Sequence, residues 1–507
     1  MLMTAEAYRE SLRRYRPKVF VDGRAIESVA DAAELAPGIN GVGVTYDFAH
    51  KPEHAKLMTA RQGPKPGPVN RMLHVNETSN DLLLKLEAVR LVCQESGCAQ
   101  RYLAHDALNG FFQATKRCDE AQGTDYHQRF LAYLERVQEE DLALGIAMTD
   151  AKGDRSKRPG QQANRDVYVR IVERQPGGIV ISGTKAIVTG APYMHEFLVM
   201  PCRTHAPEDA DFAVACAVPV DAPGVTIVAR PAGRPGESAA SFSAKYGQST
   251  GVVLFDRVFV PHEQVFLAGE TEEGGFLTTA YATHHRHSCI GARAGFGDLL
   301  IGAGSLMTEA NGLEPDRYGH IRDAMVELIT VTESFFACGV AASVYCVEDP
   351  AGSVMPDPVF ANIGKLLLAT KIYDMQRLAH YVSGGLIVAL PGPDEDHNPE
   401  TKASLAAVLA GREEIPTAQR LEVSRLLEDL TASYQGGWYS IISLHGGGSP
   451  EAMKREIWRN YPTGEKRTLV ERLLDRGVVD EGQRSSRQPG RCCVQGCSAK
   501  EPKKAAE

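Results

Sequence analysis

The sequence predicts an α+β fold in which a central antiparallel β-domain lies between two helical domains. Residues 1–140 show mostly helical spacing, and residues 145–270 show short β-rich runs separated by Gly, Pro and Asp. Helical spacing returns from about residue 275 to 475, as in a helical bundle. The predicted domains are therefore an N-terminal helical domain at 1–144, the β-domain at 145–274, a C-terminal helical bundle at 275–477 and a flexible tail at 478–507.

Two segments give this layout local detail. Apolar residues at spacings of three and four predict a helix over 80–116. In the segment ISGTKAIVTGAP at 181–192, Gly183 suits a turn between two strands, and Thr189 ends the second strand. A β-domain between helical domains leaves a cleft where they meet, which is a common place for a cofactor.

Composition excludes several classes of protein. The net charge of −9 and the absence of a basic stretch argue against nucleic-acid binding. The N-terminus has no apolar core run, and the apolar stretch at 384–392 is too short to span a membrane. Eleven cysteines in 507 residues are too few for a disulfide scaffold, so the sequence predicts reduced thiols and a cytoplasmic location.

Four motifs occur in order along the chain, and together they contain the kinds of groups that a flavin-binding site requires. They are MTDAKGDRS at 148–156, ISGTKAIVTGAP at 181–192, LFDRVFVPHEQVF at 254–266 and SGGLIVALPG at 383–392. An irregular loop and a strand-end Thr can offer amides and a hydroxyl to a flavin ring, and a Gly-Gly pair allows a close approach to a pyrophosphate. Taken singly, each motif also has a plain structural interpretation as a turn, a hairpin, a strand or a helix break.

The order and spacing of these motifs resemble the acyl-CoA dehydrogenase superfamily. The resemblance implies FAD as the cofactor. It assigns Gly384 and Gly385 to the pyrophosphate of a neighbouring subunit, which implies a homotetramer built as a dimer of dimers. The residues that it assigns to the flavin side of the cofactor are Met148, Thr149, Asp150, Arg155 and Thr189.

A closer resemblance covers about residues 4–475. The N-terminal segment, the GDRS loop and HHRHSCIGARAGFGDLLIGA at 284–303 resemble the family of 4-hydroxyphenylacetate 3-hydroxylase and 4-hydroxybutyryl-CoA dehydratase. The hydroxylase branch uses reduced FAD and O2, and the dehydratase branch uses FAD with a [4Fe–4S] cluster. The GDRS loop and LHGGGSPEAMKR at 444–455 are nearer to the dehydratase branch.

The cluster positions of the dehydratase branch are only half retained. One cluster cysteine falls on Cys98 and the cluster histidine falls on His285. The other two cysteines fall on Tyr102 and Ala292, which cannot replace thiolates. The resemblance therefore does not extend to a [4Fe–4S] cluster.

The catalytic positions of that branch also differ. Its tyrosine falls on Cys289 and its glutamate falls on Ile442. A mononuclear metal on Cys98, His285 and Cys289 is a weak alternative, and the main expectation is that the site holds no metal.

The hydroxylase branch implies a different set of site residues. Its substrate arginine falls on Arg101, and its substrate tyrosine falls on His105 or, less plausibly, Tyr102. Its catalytic histidine falls on Ile146, which cannot exchange protons. The base that deprotonates a phenol would then be His105 or His285.

These resemblances predict the oxygenase component of a two-component monooxygenase that hydroxylates a phenolic or other small substrate with FADH2 from a separate flavin reductase. A lyase or isomerase acting on an acyl-CoA and a non-catalytic flavin-binding homologue remain alternatives. The tail cysteines Cys492, Cys493 and Cys497 have no histidine nearby as a fourth metal ligand, so a metal site there would need a ligand from another subunit, and a flexible tail is the main expectation.

Overall fold

The computed structural model describes residues 2–63, 67–233 and 241–474, and the α+β fold predicted from the sequence is confirmed. The predicted tail and its three cysteines lie outside these residues. The helices are α1 (Ala5–Leu12), α2 (Ala36–Asp47), α3 (Pro52–Met58), α4 (Ser79–Ser96), α5 (Tyr102–Gln122), α6 (Tyr126–Glu140), α7 (Ser241–Tyr246), α8 (Thr271–Ala310), α9 (Gly319–Val344), α10 (Pro358–Ser383), α11 (Lys402–Val408), α12 (Thr417–Thr431), α13 (Tyr434–His445), α14 (Pro450–Asn460) and α15 (Thr463–Leu473).

The strands form two main sheets. A six-stranded sheet has the order β2-β1-β10-β11-β7-β6, and a four-stranded sheet has the order β12-β9-β8-β5. The strands are β1 (Val19–Val21), β2 (Arg24–Ile26), β3 (Thr59–Ala60), β4 (Val69–Asn70), β5 (Leu144–Ala147), β6 (Arg170–Gln175), β7 (Gly178–Thr189), β8 (Glu196–Val199), β9 (Val214–Pro219), β10 (Val225–Ala229), β11 (Thr250–Pro261), β12 (Val265–Ala268), β13 (Val347–Glu348) and β14 (Val354–Met355).

The N-terminal segment adds two strands that the helical spacing did not reveal. Strand β1 pairs in parallel with β10, with Val19 opposite Ile227, and it also pairs with β2. Three-residue strands are too short to show an alternating pattern in the sequence. This pairing ties the N-terminal domain to the β-domain, so the predicted boundary at 144 is a change of element type rather than a gap between independent units.

Gly183 does not make the turn that the sequence suggested. It lies inside the continuous twelve-residue strand β7, with φ at +138°, opposite Phe255 of β11. A Cβ at this position would lie 2.1 Å from the carbonyl oxygen of Tyr168. Glycine is therefore required here by close backbone approach in a strand, which gives the same sequence signal as a turn.

The helix predicted over 80–116 is two helices. Helix α4 begins after Thr78, whose hydroxyl accepts from the amide of Asp81, and it ends before Gly97, which has φ at +68°. Helix α5 begins at Tyr102, and Gln100 in the break has φ at +56°. The break brings Cys98 to the junction between helices, where it lines the cleft that is described below.

The 40-residue helix α8 is the central element of the helical core. It packs against α4, α5, α9 and α10, and its middle third is fully buried. Gly295 allows the approach to α4, because a Cβ there would lie 2.4 Å from the carbonyl oxygen of Arg90. Side chains on several faces of α8 are therefore buried against neighbouring helices, and some of these side chains are polar.

Among the described helices, α9 alone is long and apolar enough to span a membrane by length and composition. A core helix of a globular protein passes the same test. Helix α9 packs against α8 and α10, and its Glu327 and Glu333 form ion pairs with Arg377 and Arg90. These contacts identify it as a helix of the bundle.

The substitution Gly183→Ala should lower the free energy of unfolding by about 3 kcal/mol, because the backbone conformation and the Tyr168 carbonyl both oppose a Cβ. Gly302→Ala is the matched control. Nothing lies near its Cβ position on α8, so this substitution should raise the free energy of unfolding by about 1 kcal/mol. Urea denaturation of both variants measures the two changes. Equal effects would contradict the assignment of Gly183 to a crowded strand.

Candidate functional site

A cleft opens where the end of strand β7 meets the helices of both helical domains. It encloses about 410 Å³ including its mouth. Thr189 contributes from the β-domain, and the remaining side chains come from the α4–α5 break and from α5, α8, α10 and α13. Its polar and sulfur-bearing lining side chains are Cys98, Tyr102, Thr189, His285, Cys289, Arg293, Lys365 and Ser443. Its apolar lining residues are Leu103, Ala292, Leu368, Trp438 and Ile442.

One face of α8 supplies three of the ionisable groups. His285, Cys289 and Arg293 are spaced four residues apart and lie on the same side of the helix. All three side chains line the cleft although each residue is at least nine-tenths buried. The helical repeat therefore arranges an imidazole, a thiol and a guanidinium in a row along the cleft wall.

Cys289, His285 and Asp106 form a chain of polar contacts. The Sγ atom of Cys289 lies 3.6 Å from Nε2 of His285, and Nδ1 of His285 lies 3.1 Å from Oδ2 of Asp106. Burial alone would lower the pKa of His285, but the neighbouring thiol and carboxylate raise it to about 10. Burial likewise opposes ionisation of Cys289, yet the His285 charge lowers the pKa of this thiol overall. Each group therefore favours the charged form of the other, the thiolate beside the imidazolium.

Asp106 anchors this chain from α5. Its Oδ1 accepts a 2.5 Å hydrogen bond from Ser288 and lies 3.6 Å from Nζ of Lys85, and both of those side chains are fully buried. Burial would raise the pKa of Asp106, but the Lys85 charge, the nearby His105 ring and the hydrogen bond from His285 hold it well below its usual value. The carboxylate is thus ionised and fixed in the core, and it orients the His285 ring.

Two cationic side chains, from α8 and α10, also line the cleft. Arg293 donates from Nε to Ser443 Oγ at 2.5 Å, and its Nη1 has no hydrogen-bond partner among the described residues. Lys365 donates to the carbonyl oxygen of Ser443 at 2.6 Å, and burial lowers its pKa to about 8. The cleft therefore offers a small anion one free guanidinium nitrogen and one amine that titrates near neutral pH.

Of the predicted catalytic residues, Tyr102 and His285 line the cleft. The Tyr102 ring stacks on His285 with centroids 6.2 Å apart, and its hydroxyl lies 3.6 Å from Cys98 Sγ. Burial raises the pKa of Tyr102 well above its usual value, so it stays protonated. His285 was expected to act as a base, but its raised pKa makes it a proton donor at neutral pH.

His105 lies behind the cleft wall rather than on it. Its Nε2 is 3.2 Å from Oδ1 of Asn76, and its Nδ1 is 3.6 Å from Oδ1 of Asp106. Burial lowers its pKa to about 4, so the imidazole is neutral. Its predicted role as the base that deprotonates substrate stays a prediction, and its contacts link it to Asp106 instead.

Arg101 is buried in the core and is not among the lining residues of the cleft. Its Nη2 pairs with the carboxylate of Asp141 and donates to the carbonyl oxygens of Asp141 and Leu142, while its guanidinium lies 3.9 Å from the ring centroid of Tyr46. These contacts give Arg101 a role in holding the turn between α6 and β5. Its predicted contact with substrate stays a prediction.

The predicted flavin loop is fixed to strand β7. The ammonium of Lys185 is 2.8 Å from each of Asp150 Oδ1 and the carbonyl oxygens of Met148 and Met200. The carbonyl oxygen of Thr149 accepts from the amide of Ala186 at 2.8 Å. The loop that carries the predicted flavin contacts is therefore held beside the same strand that ends at Thr189 in the cleft.

The other predicted cofactor residues lie elsewhere. Arg155 is exposed on the loop after Gly153. Gly384 ends α10 with φ at +80°, and Gly385 has open space where a Cβ would stand. Neither glycine lines the cleft, so their assignment to a pyrophosphate stays a prediction.

Sequence reasoning missed Asp106, Arg293, Lys365 and Ser443. The sequence does contain a signal for Arg293, because this residue continues the four-residue spacing of His285 and Cys289 in the segment 284–303. Lys365 and Ser443 come from two later helices, α10 and α13, and no local pattern links them to the cleft.

The cleft does not fit a [4Fe–4S] cluster. Such a cluster needs thiolate donors, and the positions around His285 offer Cys98 and Cys289 but a protonated phenol at Tyr102 and a methyl group at Ala292. Within 2–63, 67–233 and 241–474 there is no group of three or more His, Cys, Asp or Glu side chains arranged to hold a metal ion. The weak alternative of a mononuclear metal on Cys98, His285 and Cys289 therefore gains no support.

The protein therefore has the architecture of an enzyme with a central β-domain between two helical domains, and its candidate site lies where these domains meet. Two family models match the chain: 4-hydroxyphenylacetate 3-hydroxylase N terminal over residues 4–267 and 4-hydroxyphenylacetate 3-hydroxylase C terminal over residues 275–475. The chain belongs to the 4-hydroxyphenylacetate 3-hydroxylase family, as the sequence motifs predicted.

Relatives from both branches are similar to this chain. The 4-hydroxybutyryl-CoA dehydratase/vinylacetyl-CoA-Δ-isomerase of Clostridium aminobutyricum is 34% identical, over 93% of this chain and 99% of the relative. The structure of an oxygen-tolerant archaeal 4-hydroxybutyryl-CoA dehydratase from N. maritimus is 35% identical with a TM-score of 0.91, over 96% and 98% of the two chains. The oxygenase component of 4-hydroxyphenylacetate 3-monooxygenase, solved with FAD, is 21% identical with a TM-score of 0.83, over 93% and 98%, and shares the fold.

The substitution Arg101→Met should lower the free energy of unfolding by about 3–5 kcal/mol, because it leaves the buried Asp141 carboxylate without its partner. Arg412→Met removes an exposed arginine that is paired with Glu314, and it should have a far smaller effect. Chemical denaturation followed by circular dichroism compares the two variants. An Arg101 variant as stable as the parent would show that this ion pair does not hold the turn.

Proposed function

We propose that the protein is an FAD-dependent enzyme, the oxygenase component of a two-component monooxygenase that acts on a small phenolic substrate. The observation that carries this proposal is the cleft in which Thr189, at the end of the strand that holds the predicted flavin loop, lies with buried cations from two helices, α8 and α10. Membership in a family whose named members include oxygenase components supports it.

The residues present fit an FAD on the β-domain side of the cleft. Met148, Thr149 and Asp150 are fixed on β7 by Lys185, and the half-buried Thr189 offers a hydroxyl at the strand end. An amide-rich loop and a hydroxyl are what the polar edge of a flavin ring requires. When it is bound and reduced, FAD would supply the reaction with O2 that delivers an oxygen atom to the substrate.

The helical side of the cleft fits a phenol that must lose its proton. With a pKa of about 8, Lys365 is close to the ideal range for a general base near neutral pH. Arg293 and the protonated His285 would stabilise the resulting phenolate. Leu103, Leu368 and Trp438 give the aromatic ring an apolar wall and exclude water.

Assembly and location are part of the same proposal. A separate reductase would deliver FADH2, since several relatives of this chain are named as oxygenase components. A homotetramer in the cytoplasm would bring Gly384 and Gly385 to a neighbouring subunit. Exposed apolar side chains on α8, α9 and α10 suit such an interface: Leu306, Val326, Ile329, Tyr373 and Tyr381.

A second candidate is a lyase or isomerase that acts on an acyl-CoA. Identity of 34–35% to dehydratases, against 21–24% to the hydroxylase oxygenase components of Thermus thermophilus and Geobacillus and the FAD-bound structure, favours it. The missing cluster ligands oppose it. Formation of a hydroxylated product that depends on O2 distinguishes the monooxygenase from this candidate.

The substitution Thr189→Val should weaken FAD binding roughly 3- to 10-fold, because it removes one hydrogen bond to the ring and keeps the side-chain volume. Thr184→Val on the same strand, outside the cleft lining, is the matched control. Titration of flavin fluorescence with each variant gives the Kd. If the parent chain leaves flavin fluorescence unchanged, the proposed function fails.

With reduced FAD, O2 and 4-hydroxyphenylacetate or 4-nitrophenol as test substrates, hydroxylation should accelerate as the pH rises to about 8 and then level off. The reason is that the free amine of Lys365 exists only above its lowered pKa. Lys365→Met should lower kcat roughly 100-fold and abolish this dependence. Lys371→Met, on the exposed face of α10, should leave the profile unchanged. Product is measured by mass spectrometry, and a profile that survives in Lys365→Met would exclude Lys365 as the base.

A further inference from the structure

The Cys289 thiol in the Cys289–His285–Asp106 chain is a group that the proposed phenol hydroxylation does not use. A thiol within 3.6 Å of an imidazole that a buried carboxylate orients at 3.1 Å is the arrangement of an activated nucleophile. Rings of Tyr281 and Tyr102 flank His285, with centroids 5.4 and 6.2 Å away, and hold its plane. Cys289 keeps 9% of its surface exposed, and its thiol lines the cleft.

An anion site lies on the same wall. Arg293 stands one helical turn beyond Cys289, is 4% exposed, and its Nη1 has no hydrogen-bond partner in the described part of the chain. Lys365 is fully buried on the adjacent helix. A buried guanidinium nitrogen with no partner is costly unless a ligand satisfies it. The cleft therefore suits a substrate that carries a negative charge close to the carbon that the thiol attacks.

The position of Cys289 in its helix favours addition to an alkene over acyl transfer. Acyl transfer places an oxyanion beside the attacked carbon, where backbone N–H groups usually stabilise it. Cys289 lies in the middle of the 40-residue α8, where backbone N–H groups are donated within the helix. In conjugate addition the charge develops on a carbonyl oxygen farther from the sulfur, which is where the side-chain cations Arg293 and Lys365 can reach.

We propose that Cys289 is a nucleophile that adds reversibly to a small anionic substrate in which a carbon–carbon double bond is conjugated to a carbonyl group. The Sγ–Cβ bond forms, the π electron pair of the alkene moves to the α-carbon, and that carbon takes the proton from Nε2 of His285. The net change is addition of S–H across the double bond, and elimination reverses it. Arg293 holds the negative charge of the substrate. This step does not rest on the proposed function, because neither flavin nor O2 takes part.

The experiment measures labelling of the full-length chain, without added flavin, by an anionic and a neutral Michael acceptor: 3-maleimidopropionate and N-ethylmaleimide. Peptide mass spectrometry gives the rate at each cysteine, normalised to the rate of glutathione. At pH 7 Cys289 should react about tenfold faster than Cys98, which lines the same cleft beside the neutral hydroxyl of Tyr102. It should also prefer the anionic reagent.

Two variants separate the roles of the neighbouring groups. His285→Gln should slow labelling of Cys289 about tenfold at pH 7 and make its rate rise more steeply towards pH 9 than the rate of the parent chain. Arg293→Gln should slow labelling by 3-maleimidopropionate more than labelling by N-ethylmaleimide, so that the preference for the anionic reagent is lost. Two of the charged groups that face the pair, Lys85 and Lys365, have pKa values that burial lowers to about 8, within the pH series. The other titratable or charged groups around the pair are Cys93, Cys98, Tyr102, Asp106, Tyr281, Arg286 and Arg293.

Equal labelling of Cys289 and Cys98 in the parent chain would overturn the proposal, as would a parent rate that rises with pH like that of a free thiol. Circular dichroism of each variant excludes unfolding as the cause of a slower rate. A Cys98→Ser chain repeats the measurement with Cys289 alone in the cleft, and its Cys289 rate should equal that of the parent.

Discussion

The buried carboxylate of Asp106 is the constraint on which the organisation of the site depends. It is fully enclosed, and it is ionised only because Lys85, Ser288 and His285 surround it with charge and hydrogen bonds. A buried charge is tolerated when its partners are fixed, and removing one partner is strongly destabilising. Asp106 therefore links α4, α5 and α8 at one point in the core.

This link also determines what the cleft can do. Asp106 accepts a hydrogen bond from Nδ1 of His285, so Nε2 of that ring points to Cys289. The imidazole stays protonated next to the thiol. His105 also lies beside Asp106, at 3.6 Å, but burial lowers its pKa to about 4. The two histidines differ because His285 also has the Cys289 thiol as a neighbour, which is the main cause that raises its pKa.

A second buried charge organises the other side of the cleft. Lys185 of β7 satisfies its ammonium with Asp150 and with two carbonyl oxygens, so it fixes the loop after β5 to the strand. The cleft forms between these two polar anchors, one in the helical core and one in the β-domain. Each of these buried charges stays with its partners, because leaving it unpaired in the core would cost free energy. Ligands are therefore bound between preorganised walls.

The sequence by itself determined the α+β layout, the family and the presence of a cleft with His285, Cys289 and Tyr102, because helical spacing and motif order are local properties of the chain. Only the tertiary structure decided the protonation of His285, the core position of Arg101 and the recruitment of Asp106, Lys365 and Ser443. The strand role of Gly183 and the pairing of β1 with β10 also needed it. The physical reason is that the residues that bury a group, and the charged groups that pair with it, come from segments far apart in sequence. Burial and pairing determine the pKa of each group and which residues meet in the site.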